Sequence, residues 1–142
     1  MRQRFFLSWL VVYAIHSLSG YFIHDIVLHK TYMALMPTLH SENIKNKIWA
    51  FIISSVVSTL IFTWVYSKWR KKGTIGEGIL YGFFLGAWIG IQMSLNTYAS
   101  TGLIPFSLAI QWFVYALFQE AIVGGLLAFV YNYRANRSIE KE

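Results

Sequence analysis

The chain has no cysteine, which removes disulfides, thiolate nucleophiles and cysteine-based metal sites from consideration. Charge is nearly as scarce. Charged side chains make up 13% of the 142 residues, against roughly 25% in an ordinary soluble domain. Proline occurs only twice, at Pro37 and Pro105, so few positions are forbidden to a continuous helix. No phosphate-binding glycine loop, nucleophile elbow or cofactor motif is found. No cofactor is therefore expected.

What fills the chain instead is apolar: 56% hydrophobic and 18% aromatic residues. They gather into four nearly charge-free runs, 5–28, 48–66, 79–98 and 106–131. Each run is close to the roughly 20 residues that carry a helix across a ~30 Å hydrocarbon core. The runs lack the alternating polar face of barrel strands. The expected fold is all-α, one integral membrane domain over residues 1–142, built as a four-helix bundle with short loops.

The formal charge of +6 does not indicate nucleic acid, because the basic residues flank the apolar runs and form no aromatic-interleaved patch. Arg2, Arg4, Lys68, Arg70, Lys71, Lys72, Arg134, Arg137 and Lys141 fall on one side of the membrane, and Lys30, Lys45 and Lys47 on the other. The positive-inside rule then places both termini in the cytoplasm of a multi-pass inner-membrane protein. Anionic lipid headgroups are the expected neighbours of the basic loop 67–78. Ser17-Leu18-Ser19 imitates a signal-peptide cleavage site, but the apolar run continues past it to full spanning length.

Small residues recur every four positions in the third run, at Gly78, Gly82, Gly86 and Gly90, with Ser94 continuing the series. A face without side chains lets a second helix backbone approach closely, and Gly124 and Gly125 in the fourth run offer a matching strip. Ser41 or Asn43 is suited to cap the second span, Gly102 to end the third and Pro105 to begin the fourth.

Ionisable groups within apolar runs are expensive and turn toward one another. Taking each run as a straight helix, His16 lies near the centre of the first and Glu120 within about two residues of the centre of the fourth. A polar midplane cluster of Glu120, His16 and Gln92 is expected, with Asn96 and Gln119 as further polar helix contacts turned inward. At the outer end of the first run, Asp25 and His29 are four residues apart, with His24 adjacent and His40 in the following loop. Imidazole and carboxylate together could ligate a divalent metal. An interfacial polar pair is the simpler reading.

"YFIHDIVLHKTYMAL", "GILYGFFLGAWIG" and "WFVYALFQEAIVGGLLAFVYN" resemble small four-span bacterial membrane proteins, a group with no established activity. The resemblance implies that Trp112, Glu120, Gly124 and Gly125 belong to one surface. It carries over no reaction.

These readings favour a non-enzymatic accessory or structural membrane subunit, as a homodimer or within a larger membrane complex. The alternative is a small proton-coupled transporter or channel-like protein using Glu120 and His16. An intramembrane metal-dependent enzyme is a weaker third reading. A cavity reaching His16 and Glu120 would separate the first two.

Overall fold

The computed structural model describes residues 2–35 and 44–139. Helix α1 (Arg2–Tyr21) runs into a π turn (Phe22–Val27), followed by the short α2 (His29–Ala34). A 3-10 turn (Ile44–Lys47) leads into α3 (Ile48–Trp69), which is followed by α4 (Ile75–Thr101) and α5 (Phe106–Ile139). Among the described residues there is no strand, and the fold is an all-α membrane four-helix bundle.

Four apolar helical segments, Gln3–Val27, Ile48–Trp69, Ile75–Thr101 and Phe106–Asn132, are long enough to cross a membrane. The shortest has 22 residues, about 33 Å of helix at 1.5 Å per residue. The outer surface is apolar: Trp49, Phe51, Trp88, Met93, Phe118 and Ile122 are all more exposed than buried. In water such a surface would drive association; in lipid it carries no penalty.

The chain ends its helices where local chemistry dictates. Gly102 closes α4 in the left-handed region at φ 63, which only glycine adopts without strain. Pro105 opens α5, its carbonyl accepting from the amides of Leu108 and Ala109. Ser41 and Asn43 lie outside the described residues, and the N-cap of α3 is Lys47, with no side-chain capping bond. The 3-10 turn supplies that entrance instead of a capping side chain. α5 continues past Tyr131 as helix to Ile139, the last described residue.

α4 and α5 form an antiparallel hairpin whose contact is almost backbone against backbone. Gly78 lies against the Gly124 carbonyl and Ala128, Gly82 against Glu120 and Ala121, and Gly86 against Ala116 and Leu117. Gly90 faces Ala116 and Phe113. Ser94 is fully buried and returns its hydroxyl to the Gly90 carbonyl at 2.7 Å, so it adds no unpaired polar group. Gly124 in turn has the Gly82 Cα and N 3.0 Å from where a Cβ would stand, and Gly125 meets the side chain of Ile79.

At one end of the bundle the 70–74 loop is latched to both neighbours. The Thr74 hydroxyl caps α4 by accepting from the Glu77 amide at 3.2 Å. The Glu77 carboxylate accepts from the amides of Lys71, Lys72 and Gly73. Asn132 of α5 donates to the carbonyls of Gly73 and Ala128 and accepts from the Arg70 guanidinium, which also lies 4.7 Å from the centre of the Tyr131 ring. The loop is thereby fixed on α5.

The apolar core comes in two pieces. Val12, Phe62, Tyr66, Tyr81, Val123, Leu127 and Ala128 form one cluster; Leu28, Ile104, Leu108 and Ala109 form the other. Along α1 the gap between the clusters holds residues 16–19, and along α5 it holds residues 119–120. A polar layer separates them.

Candidate functional site

The polar layer is built on two adjacent residues of α5 that point in different directions. Successive residues on a helix are about 100° apart, so Gln119 and Glu120 cannot share a neighbour on equal terms. Gln119 faces α1. Its amide nitrogen donates to the Ser19 hydroxyl at 2.9 Å and to the His16 carbonyl at 3.2 Å, which uses both of its hydrogens.

Glu120 stands where the glycine face of α4 leaves room for its stem, with its Cβ 3.0 Å from where a Gly86 Cβ would be. From there its carboxylate reaches His16, with Oε1 3.3 Å from Nδ1. The Gln119 amide also lies 3.5 Å from that nitrogen, but its hydrogens are committed to the two nearer oxygens. The Nδ1 position is therefore free to carry a proton toward Glu120. The side chains are 26% exposed for His16 and 14% for Glu120, so the pair is accessible from one side.

That side is a cleft between α3 and α4, with a volume of about 400 Å³. Its walls include Phe62 and Val65 of α3 and Leu85 and Trp88 of α4, and His16 and Glu120 also line it. One end is sealed by aromatic contact: the Phe62 and Tyr81 rings are 4.9 Å apart, and the Tyr81 hydroxyl donates to the Phe62 carbonyl at 2.6 Å. Toward the other end Trp49, Phe51, Ile52 and Ile53 of α3 remain exposed. The two helices are held together at their latched ends and leave a side opening above. Ser58 and Thr59 on the cleft wall return their hydroxyl protons to the carbonyls of Ser54 and Ser55, so Glu120 and His16 supply its ionisable chemistry.

A second polar group sits toward the α2 end of the α1–α5 seam. The Trp112 indole donates to the Tyr32 hydroxyl at 2.7 Å, and that oxygen lies 2.6 Å from Nδ1 of His24, whose ring stacks on Tyr32. Burial pushes the Tyr32 hydroxyl up to about 12, opposed by the Trp112 hydrogen bond. At neutral pH it keeps its proton, which completes the chain by donation to His24.

Several expected site residues stand elsewhere. Gln92 and Asn96 are exposed on the outer face of α4 and do not meet Glu120. The reason is rotation: each lies two residues, about 200°, from a member of the small-residue series that faces α5. His24, Asp25 and His29 do not assemble a metal site. The π turn breaks the four-residue register between Asp25 and His29, since it closes with the Leu28 amide on the Ile23 carbonyl, five residues back. Among the described residues no three His, Asp or Glu side chains gather in a metal-holding arrangement; His40 lies outside the described residues. Glu120, Gly124 and Gly125 all pack against α4, whereas Trp112 faces α2, so Trp112 does not share their surface. The contribution of Ser19 was missed. Its spacing of three from His16 was the available signal.

Comparison with known proteins finds no matching family model, no matching curated protein and no matching solved structure.

Proposed function

We propose that this multi-pass membrane protein binds a small lipophilic cation in the α3–α4 cleft and exchanges it for a proton. The observation that carries the reading is Glu120, a carboxylate on the wall of a largely apolar cleft of about 400 Å³, 3.3 Å from His16. Cavities of roughly 300–1,000 Å³ suit small organic ligands. In a low-dielectric site, net charge decides occupancy. Glu120 with protonated His16 is neutral, and so is Glu120 with a bound cation and neutral His16. Holding both cations at once leaves a net positive charge. Cation binding therefore expels the His16 proton, and charge balances at every stage.

A purely structural subunit is the competing reading. Gln119 already ties α1 to α5 through Ser19 and the His16 carbonyl, so that seam does not rest on Glu120 alone, and a structural role does not account for a carboxylate that also lines the cleft.

The test uses tetraphenylphosphonium as a permanent lipophilic cation and titration calorimetry of the detergent-solubilised protein in buffers of different ionisation enthalpy. Binding is expected to release close to one proton per cation at a pH where His16 is protonated. Glu120→Gln should remain folded and lose binding at least tenfold. His16→Ala should bind without releasing a proton. Binding unchanged by Glu120→Gln would reject the cleft as the cation site.

The nine-to-three distribution of Lys and Arg supports cytoplasmic termini in a bacterial inner membrane. The exposed Lys68, Lys71 and Lys72 then face anionic headgroups on the cytoplasmic side. Because the chain lacks cysteine, Lys72→Cys should react with an impermeant thiol reagent only from the cytoplasm and Lys30→Cys only from outside. The reverse pattern would invert the topology.

A further inference from the structure

We propose that the outward face of α4 bearing Gln92 and Asn96 is the contact between two copies of this chain, and that the second copy closes the side of the cation cleft. Gln92 and Asn96 are one turn apart and exposed. Among the described residues neither side chain makes a hydrogen bond. Their neighbours are self-sufficient, the hydroxyls of Thr97 and Ser100 donating to the carbonyls of Met93 and Asn96 at 2.7 and 2.6 Å. Only the two amides are left seeking partners.

Depth makes this consequential. α4 spans Ile75–Thr101 with Trp88 at its centre, so Gln92 lies only about 6 Å from the middle of the helix. A headgroup does not reach there, and lipid tails offer neither donor nor acceptor. The surrounding surface is otherwise apolar, including Trp88 and Met93 at 62% and 63% exposure. A second copy supplies the missing chemistry in equal number and at equal depth. A carboxamide carries both a donor and an acceptor, so two of them related by a two-fold axis along the membrane normal satisfy each other reciprocally. Interhelical amide contacts of this kind are an established source of association in lipid.

The same face borders the cleft. Trp88 and Ile89 line both the cleft and the shallow groove that holds Gln92 and Asn96. A copy seated on the amides therefore abuts the side opening that α3 leaves uncovered. The amides carry the dimer on their own; only the closure of the cleft rests on the proposed cation site.

The absence of cysteine makes the test direct. Ser100→Cys, one turn from Asn96 in the same groove and leaving both amides in place, is expected to give a disulfide-linked homodimer when oxidised in native membranes with copper phenanthroline. Leu18→Cys and Phe118→Cys, exposed on α1 and α5 at 66% and 64%, should cross-link several-fold less. In nanodiscs the Gln92→Leu/Asn96→Leu variant should be monomeric at concentrations where the parent is dimeric. A monomeric parent, equal cross-linking at all three positions, or a cross-link to a different protein would each overturn the proposal. Calorimetric cation binding to the monomeric variant is read separately, so loss of the dimer and loss of the cation site are distinguishable.

Discussion

Gly82→Ala is expected to lower the thermal midpoint of the detergent-solubilised bundle by on the order of 5 °C or more, corresponding to about 1–3 kcal/mol of overpacking. The added methyl would land on the carbonyl oxygen and carbon of Glu120, with the Ala121 Cα 3.0 Å away. These are backbone atoms of a continuous helix and cannot swing aside as a side-chain tip would. α4 and α5 must separate, and because Glu120 is the residue struck, its distance to His16 changes as well. Gly86→Leu should act in the same direction, since even a Cβ there stands 2.7 Å from the Ala116 carbonyl oxygen. Gly76→Ala provides the control. Nothing lies within 4 Å of a Cβ at that position, and alanine is the better helix former by up to ~1 kcal/mol. Its midpoint should stay level or rise. Equal losses for Gly76→Ala and Gly82→Ala would mean that glycine serves flexibility here and not close approach.

The glycine series also shows where a sequence informs and where it stops. Four apolar runs of spanning length predict four helices because hydrocarbon permits few other ways of satisfying the backbone. Depth is legible too: counting residues from the ends of each run put His16 and Glu120 at one level, and their side chains are 3.3 Å apart. Rotation is harder, yet the small-residue series contained it. If Gly90 and Ser94 face a neighbour, then Gln92 and Asn96, each two residues away, face nearly the opposite direction. Expecting both sets to turn inward was inconsistent within the sequence itself. The burial preference of amides prevailed over the helical period, and that preference presumes a single chain.

Other features had no comparable signal. The π turn at Phe22–Val27 carries no proline or glycine to mark it, and it rotates Asp25 and His29 out of register. The pairing of Tyr32 with Trp112 joins residues 80 positions apart, on elements whose relative rotation is set by tertiary packing. The cleft is illegible for a further reason. It arises because α3 meets α4 through Phe62, Tyr66 and Trp69 against Tyr81 at one end while its opposite half remains exposed. Aromatic residues stand near both ends of α3, and composition does not say which of them find partners.

The division of labour between Gln119 and Glu120 yields the second large effect. Glu120→Ala and His16→Ala each strand a group that the pair otherwise balances, and stranding a buried charge is costlier than removing the pair. The double variant should consequently be more stable than the two single losses predict, by a coupling of about 1–2 kcal/mol given the partial exposure of both side chains. The cycle is read from reversible unfolding in mixed micelles. Additivity within about 0.5 kcal/mol would show the two groups to be independent, and the exchange scheme would lose its proton donor. Gln119→Ala tests the other half. It removes the bonds to Ser19 and the His16 carbonyl, so stability should fall by roughly 1–2 kcal/mol, the range of one or two hydrogen bonds. Cation binding should change far less than in Glu120→Gln, because Gln119 is not among the residues of the cleft wall. The expected pattern is crossed: Glu120→Gln retains stability and loses the ligand, whereas Gln119→Ala retains the ligand and loses stability. If both variants lose both properties in proportion, the polar layer acts as one structural unit, and Glu120 has no role beyond holding α1 against α5.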